Sequence, residues 1–516
     1  NMEHHLLLLL LLVPLVYCVT DTIKLSASLA LTGANGSINV FLDNEVYVGM
    51  KLYVDLMNKR GGIDVDGITY TLELNVKDSQ ENDFTAEEHY IEFCEEMNMN
   101  ISNHFLITSP HPISTVRPTI GLEQRGCPSI NAGGESDFFW RGPKGIYNFT
   151  QVVPLGLSPK RAYSSMLPFI RIKEMKTAVL VCGFRAQVFH ETSCDVLQQE
   201  LPQFRVKLLE TIAFEESSLA NFDFTTETSI ANWTGTADRI ASHDNLDVMI
   251  ISTRTAAVFH MLKRLVELDK LPRLIVTGGF DGFYSRLDDI FAISPLVDAN
   301  LMSGISRFVS ESEFPADIYT GISMANFTEM YTNATGRTLD IPMPVWGFLS
   351  CMMWVESIKA SKSLDATKVL SRLLMSEFET FNGIYSWDPE DRSCRWDPYY
   401  VQLQVPNGGS DVTNALKIIA PLGATTNSEL VYPTPLPHER VVSIEFGHVS
   451  EIIMTVFTVI ALLIVVAFSI FVGSLRNNRI VRGSSVNFLL LVAFGALLLL
   501  VTNFVWLPSQ WTTFTC

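Results

Sequence analysis

The sequence predicts an α/β fold: two doubly wound parallel-sheet lobes followed by all-α transmembrane helices. Three observations predict it. Short β-prone apolar segments alternate with helical patterns through most of residues 21–435, the sequence mark of parallel sheets covered by helices. That stretch is longer than one hydrophobic core usually holds, so two lobes are expected. The last 65 residues, Ile452 to Cys516, contain no Asp, Glu or Lys, and Arg476, Arg479 and Arg482 are their only charges.

Taken in chain order, residues 1–20 read as a secretory signal peptide. The apolar run from Leu6 to Val16 is too short to span a bilayer, and cleavage falls near Cys18 to Thr20. A strand from Ile23 to Leu31 leads into a helix with Val46, Met50, Tyr53 and Met57 on one face, and Gly61-Gly62 ends it. Strict alternation from Tyr70 to Val76 puts Leu72, Leu74 and Val76 on one side of a strand. A helix through Ala86 to Cys94, a buried strand at Phe105 to Thr108, a helix from Ser114 and a strand at Pro128 to Ala132 follow. The rhythm resumes with strands at Thr177–Cys182, Val206–Phe214, Leu246–Ser252 and Leu274–Thr277, and helices at His190–Leu201 and Ala256–Leu268.

Residues 436–451 read as a linker, and two spans follow. The runs 452–475 and 486–507 hold 24 and 22 uncharged residues, each long enough as helix to cross a hydrocarbon core of roughly 30 Å. The intervening loop, 476–485, is short and purely basic, which places it in the cytoplasm and everything before Ile452 outside the cell. Residues 508–516 then return to the extracellular side. This makes the chain a plasma-membrane protein with an extracellular N-terminus.

Charge narrows the partners. The whole chain carries −18 and the tail +3, so the first 451 residues carry −21, and an acidic ectodomain does not bind nucleic acid by counterion release. Six sequons for N-glycosylation, at Asn35, Asn100, Asn148, Asn232, Asn326 and Asn333, all lie in the stretch assigned outside. So do Cys94, Cys127, Cys182, Cys194, Cys351 and Cys394, an even set in an oxidising compartment. Several pairings remain open; the preferred ones join Cys94 to Cys127 and Cys182 to Cys194. Cys516 is left for a partner in sequence beyond this chain.

In doubly wound sheets the ligand sits outside the carboxyl ends of the strands, so the strand-end loops hold the candidate site. These are Ser109 to Ser114, Ala132 to Ser136, Gly183 to Phe189, Thr253 to Ala256 and Gly278 to Asp281. Within them Ser109, His111, Ser114, Ala132, Gly133, Gly134, Phe189 and Asp281 are the candidate ligand contacts. Each has a plainer reading: a cap or turn for Ser109, a surface loop for His111, turn geometry for Gly133 and Gly134, packing for Phe189, a solvated carboxylate for Asp281. No nucleophile, metal or phosphate-cradle constellation is present, so neither enzyme activity nor a cofactor is expected.

From Ile23 to Gln404 the chain resembles the periplasmic-binding-protein type I ligand-binding region. The matching pieces are Ser26-Ala-Ser-Leu-Ala-Leu-Thr-Gly33, Met57-Asn-Lys-Arg-Gly-Gly-Ile63, Asn75-Val-Lys-Asp-Ser79, Leu106-Ile-Thr-Ser109 with Ser114-Thr115, and Phe381-Asn-Gly-Ile384 with Trp387-Asp-Pro-Glu-Asp391. The tail, Leu475 to Ser485 and Trp511 to Cys516, resembles class C G-protein-coupled receptors, in which Cys516 matches an extracellular disulfide cysteine. No cysteine-rich module lies between Cys394 and Ile452, which is similar to the GABA-B-like subgroup. The resemblance implies a small, amino-acid-like ligand held between two lobes, lobe closure as the signal, a homo- or heterodimer of ectodomains, and a heterotrimeric G protein as partner. It also implies hydroxyl and backbone N–H donors for a ligand carboxylate. Here Pro110 and Pro112 lack N–H groups, and Phe189 falls near a family tyrosine. Two other arrangements compete: the ectodomain of a guanylate-cyclase type receptor, and a membrane-anchored binding protein without signalling. The second apolar run argues against the first. A ligand-gated channel would need a further ligand module for which the linker leaves no room.

Overall fold

A computed structural model describes most residues within 22–133, 150–215, 227–278, 302–306, 314–404 and 416–420, together with residues 467, 470 and 474. The chain separates into two compact units, Asn1–His438 and Glu439–Cys516. The described positions 467, 470 and 474 are helical and exposed. Among the described residues no helix is long and apolar enough to cross a membrane. Apart from those three positions, both expected spans lie outside the described residues, as do the signal peptide, the linker, the basic loop and Cys516.

The first unit is built on two sheets. The first has six strands, in the order β2 (Ile63–Val65), β3 (Ile68–Asp78), β1 (Thr22–Leu29), β4 (Asn103–Thr108), β5 (Ser129–Asn131), β6 (Val152–Pro154). Every neighbouring pair is parallel except β2 with β3, a hairpin turned by Asp66-Gly67 with positive φ at both. The second sheet has seven strands. Its order is β15 (Leu416–Ala420), β14 (Tyr399–Leu403), β11 (Met302–Ser306), β10 (Leu274–Thr277), β9 (Val248–Ser252), β7 (Thr177–Phe184), β8 (Lys207–Glu215). It is parallel from β11 to β8, and β14 and β15 close one edge antiparallel.

Helices cover both faces of the first sheet, as a parallel sheet requires. On one side α1 (Ile38–Lys59) buries Val46, Met50, Tyr53 and Met57, the face its periodicity marks out. Ser37 caps its start by accepting from the Asn39 N–H, and Gly61 and Gly62, both at positive φ, end it. On the other side lie α2 (Asp83–Asn98) and α3 (Pro112–Arg125), with the small core of Tyr90, Phe93, Cys94, Leu106, Leu122 and Cys127 between them and the sheet. The α3 helix begins at Pro112, two residues before the expected Ser114, because proline is well suited to a first helical turn. The Cys94–Cys127 disulfide joins α2 to the turn after α3.

The second sheet is flanked by α4 (Leu167–Ile172), α5 (Val188–Glu200), α6 (Glu227–Ala241) and α7 (Thr255–Glu267). The Cys182–Cys194 disulfide ties β7 to α5. After β11 the chain returns to the first lobe as α8 (Met324–Thr335), α9 (Met343–Ser361) and α10 (Ala366–Leu374), then the hairpin β12 (Phe378–Thr380) and β13 (Gly383–Tyr385). It therefore crosses between the lobes three times: from β6 to β7, from β11 to α8, and from β13 to β14. Neither lobe is one continuous segment.

The long helix α9 is the surprise relative to the periodicity reading. It is apolar on every side and almost wholly buried. It crosses α1 in backbone contact: a Cβ on Gly49 would overlap the carbonyl oxygen of Pro344, and one on Gly347 that of Val46. Cys351 on this helix and Cys394 beyond β13 are both buried.

Candidate functional site

In the first sheet β1 pairs with β3 on one side and β4 on the other, so winding reverses between β1 and β4, where open α/β sheets hold ligands. At the carboxyl ends of these two strands a cavity of about 10 Å³ is lined by Ser28, Asp43, Ser79, Asp83, Tyr90, Thr108 and Ser109, among others. It has room for about one water. The α1 helix carries Asp43 into this pocket, where its carboxylate accepts from the Ala30 N–H at 2.7 Å and from the Ser109 hydroxyl at 2.7 Å. Burial pushes the Asp43 carboxyl up to about 7, against these two hydrogen bonds, which favour its ionised form. The Tyr90 hydroxyl accepts from the Ser28 N–H at 3.0 Å and donates to the Ile107 carbonyl at 2.8 Å, stapling β1, β4 and α2 together.

The candidate contacts at this end of the first lobe come together. Ser109 follows β4 directly and is buried; its carbonyl accepts from Asn131 at 2.7 Å and its hydroxyl is turned to Asp43. Ala132 and Gly133 follow β5. Their N–H groups donate to the carbonyls of Thr108 at 3.0 Å and Asn131 at 2.9 Å, so the backbone donors expected to serve a ligand carboxylate serve the loop itself. Gly133 sits at φ +123°, and a Cβ there would run into the ring of Trp346 from α9. Its glycine is required by that indole.

The remaining candidates are placed less fully. Ser114 lies in α3 and Phe189 in the first turn of α5, with their side chains outside the described residues. His111, Gly134 and Asp281 are outside them altogether. Of the sequons, Asn326 and Asn333 are exposed on α8, Asn232 lies in α6, and Asn35, Asn100 and Asn148 are not among the described residues. Asn326 completes a capping box with Ser323: its amide oxygen accepts from the Ser323 backbone N–H at 3.3 Å, and its own backbone N–H donates to the Ser323 hydroxyl at 3.2 Å.

Sequence reasoning missed Asp43, Trp346 and Trp387. Asp43 reads as an ordinary helical aspartate; the one hint is its place on the buried side of α1, four residues before Tyr47 and three before Val46. Trp387 follows β13, on the third crossing, and its indole N–H donates to the Pro154 carbonyl of β6 at 2.8 Å.

A chain of hydrogen bonds elsewhere in the first lobe has the composition of a catalytic triad. The Ser26 hydroxyl and His104 Nδ1 are 2.7 Å apart, and His104 Nε2 and the Glu96 carboxylate 2.8 Å. Ser26 is fully buried in β1, however, so no substrate reaches it. Burial holds His104 below the ordinary histidine value even beside Glu96, and the ring stacks on Phe93 with centroids 5.4 Å apart. These groups join α2 to the sheet. Among the described residues no group of three or more His, Cys, Asp or Glu side chains is placed to hold a metal.

No family model matches the chain, and no curated protein matches it. Solved structures do. An amino-acid transporter substrate-binding protein from Pseudomonas fluorescens superposes with a TM-score of 0.57 at 12% identity, over 78% of this chain and 95% of that one. A transporter substrate-binding protein from Desulfitobacterium hafniense in complex with Leu gives 0.55 at 11% identity, over 77% of this chain and 100% of that one. A solute-binding protein from R. palustris in complex with benzoate gives 0.51 at 13% identity, over 75% of this chain and 94% of that one. The two-sheet, three-crossing unit between β1 and β15 thus has the periplasmic-binding-protein type I fold.

Proposed function

We propose that this chain is the N-terminal part of a class C G-protein-coupled receptor of the GABA-B-like kind, with residues 21–435 as an extracellular domain that binds a small molecule between its lobes. The observation that carries this reading is the combination, in one chain, of a two-lobed binding fold with uncharged runs of 24 and 22 residues directly downstream. The similar proteins named above are solute- and substrate-binding proteins, which supports a binding role. Ligand favours the closed arrangement of the lobes only if it binds that arrangement more tightly. The closed form then acts through a homo- or heterodimer and, in the complete receptor, a heterotrimeric G protein. The protein sits in the plasma membrane with glycans on its outer, N-terminal side.

The chemistry of the first lobe supports one class of ligand over another. The Ser109 hydroxyl is directed at Asp43, the Ala132 and Gly133 N–H groups are engaged within the loop, and Pro110 has none to offer. A carboxylate finds few donors among these residues, which leaves an amine or a neutral polar group as the better match. The test is a thermal-shift screen of residues 21–440 against amines and amino acids. A ligand at about 100 times its Kd stabilises the folded form by about 2.7 kcal/mol. Amines are expected to raise the melting temperature and simple carboxylates are not; the reverse ranking overturns the assignment of ligand class.

A further inference from the structure

Far from the strand ends, the other end of α9 lines a second and larger pocket. It has a volume of about 500 Å³ and is walled by Tyr319, Glu356, Lys359, Arg372, Met375 and Glu377, with Phe378 and two small residues completing it. That volume is within the range of small-molecule sites, about 300–1,000 Å³. From Trp346, at the strand-end site, to Glu356 is ten residues of one helix, roughly 15 Å. The two sites are therefore separate.

The walls carry both signs of charge beside aromatic rings. Lys359 is occupied with Glu356 at 2.6 Å, as Lys51 is with Asp55 at 2.8 Å and Arg117 with Glu87 at 2.5 Å. Arg372 and Glu377, in contrast, are exposed side chains of opposite sign with no ion-pair partner among the described residues. Phe378 is buried at the start of β12, with the Tyr319 ring tilted against it at 5.8 Å between centroids. The Tyr319 hydroxyl is held by the Glu377 carbonyl at 3.3 Å, which fixes the ring as a wall. Met375 stands 80% exposed at the rim, an unbranched thioether able to fold over an apolar body.

We propose that this pocket is a second ligand site, which takes a small zwitterion with an aromatic or apolar body: an ammonium group at Glu377, a carboxylate at Arg372, and the body against Tyr319 and Phe378. This site does not depend on the receptor reading or on the ligand of the strand-end site. The experiment titrates the full chain, in detergent micelles, with L-phenylalanine, phenethylamine and 3-phenylpropionate by calorimetry. L-Phenylalanine is expected to bind with a Kd of about 1 mM or below, and about tenfold more tightly than either compound lacking one charge. Arg372→Gln and Glu377→Gln, both exposed changes that leave the core untouched, each weaken L-phenylalanine about tenfold, while Arg372→Lys largely retains it. Arg372→Gln leaves phenethylamine unchanged, since that compound has no carboxylate to lose. Binding of L-phenylalanine that neither substitution moves overturns the proposal, and so does the lack of saturable binding at about 10 mM by chain whose circular dichroism is native.

Discussion

Asp43 is the residue on which the strand-end site turns, and its titration gives a test with a definite sign. An aspartate whose carboxyl is raised from 3.8 to about 7 keeps its proton in the folded chain over a range where the unfolded chain has lost it. The stability this contributes is fully present below 3.8 and is lost as pH rises toward 7. Each unit of difference is worth about 1.4 kcal/mol, so the change across the range amounts to a few kcal/mol, about the scale of one buried group. Asn at position 43 imitates the protonated acid, with an oxygen for the Ala30 N–H and an NH₂ for the Ser109 oxygen. Asp43→Asn is expected to melt well above the parent at pH 8 and level with it at pH 4. A difference that stays constant with pH would show that another group titrates. At Gly133 the expected change is a loss: Gly133→Ala combines a φ of +123° with overlap on Trp346, and a fall in the urea midpoint worth about 2 kcal/mol or more is predicted. The position of Ser109 at a strand end was legible in the sequence; its partner, 66 residues away on a helix, was not. Nothing in local pattern says which polar residue of a helix the sheet will bury.

Elements were legible where they are amphipathic. The helix α1 shows one apolar face because only one face meets the sheet, and β10 was read at its observed bounds because glycine and proline bracket a short apolar run. The helix α9 was not legible for the opposite physical reason. It is enclosed by α1, the sheet and α10, so it is apolar all round and has no 3.6-residue rhythm to detect. Its contact with α1 depends on two glycines facing each other's backbones. Gly347→Ala pushes these helices apart, and a loss of about 3 kcal/mol is expected from urea denaturation; a cost below about 1 kcal/mol would show that the crossing relaxes freely. The disulfides belong to this scale as well. Cys94–Cys127 closes 33 residues, and replacing both cysteines with alanine is expected to lower stability by about 3–4 kcal/mol, read from the same denaturation curves.

At the scale of the whole first unit, the two-lobed α/β fold was legible from the alternation of strand and helix, but the return of residues 324–385 to the first lobe was not. Sequence order suggests that a chain which has left a lobe stays away. Here the first lobe is assembled from residues before β7 and after β11, and the second from residues on either side of that return. One continuous hydrophobic core runs through both, from Ile23 in β1 to Leu403 in β14, and the Trp387 to Pro154 hydrogen bond fastens the third crossing to β6. Neither lobe can complete its core unless the chain that also builds the other is in place. Residues 21–440 are therefore predicted to unfold in urea as one cooperative unit, although they form two lobes. Far-ultraviolet circular dichroism reports both sheets, while tryptophan fluorescence is weighted to the first lobe by Trp346, Trp354 and Trp387. The two signals are expected to give one midpoint and one slope. Fluorescence that changes at a lower urea concentration than circular dichroism would mean that the first lobe opens while the second stands, and that the crossings are loose tethers rather than shared structure.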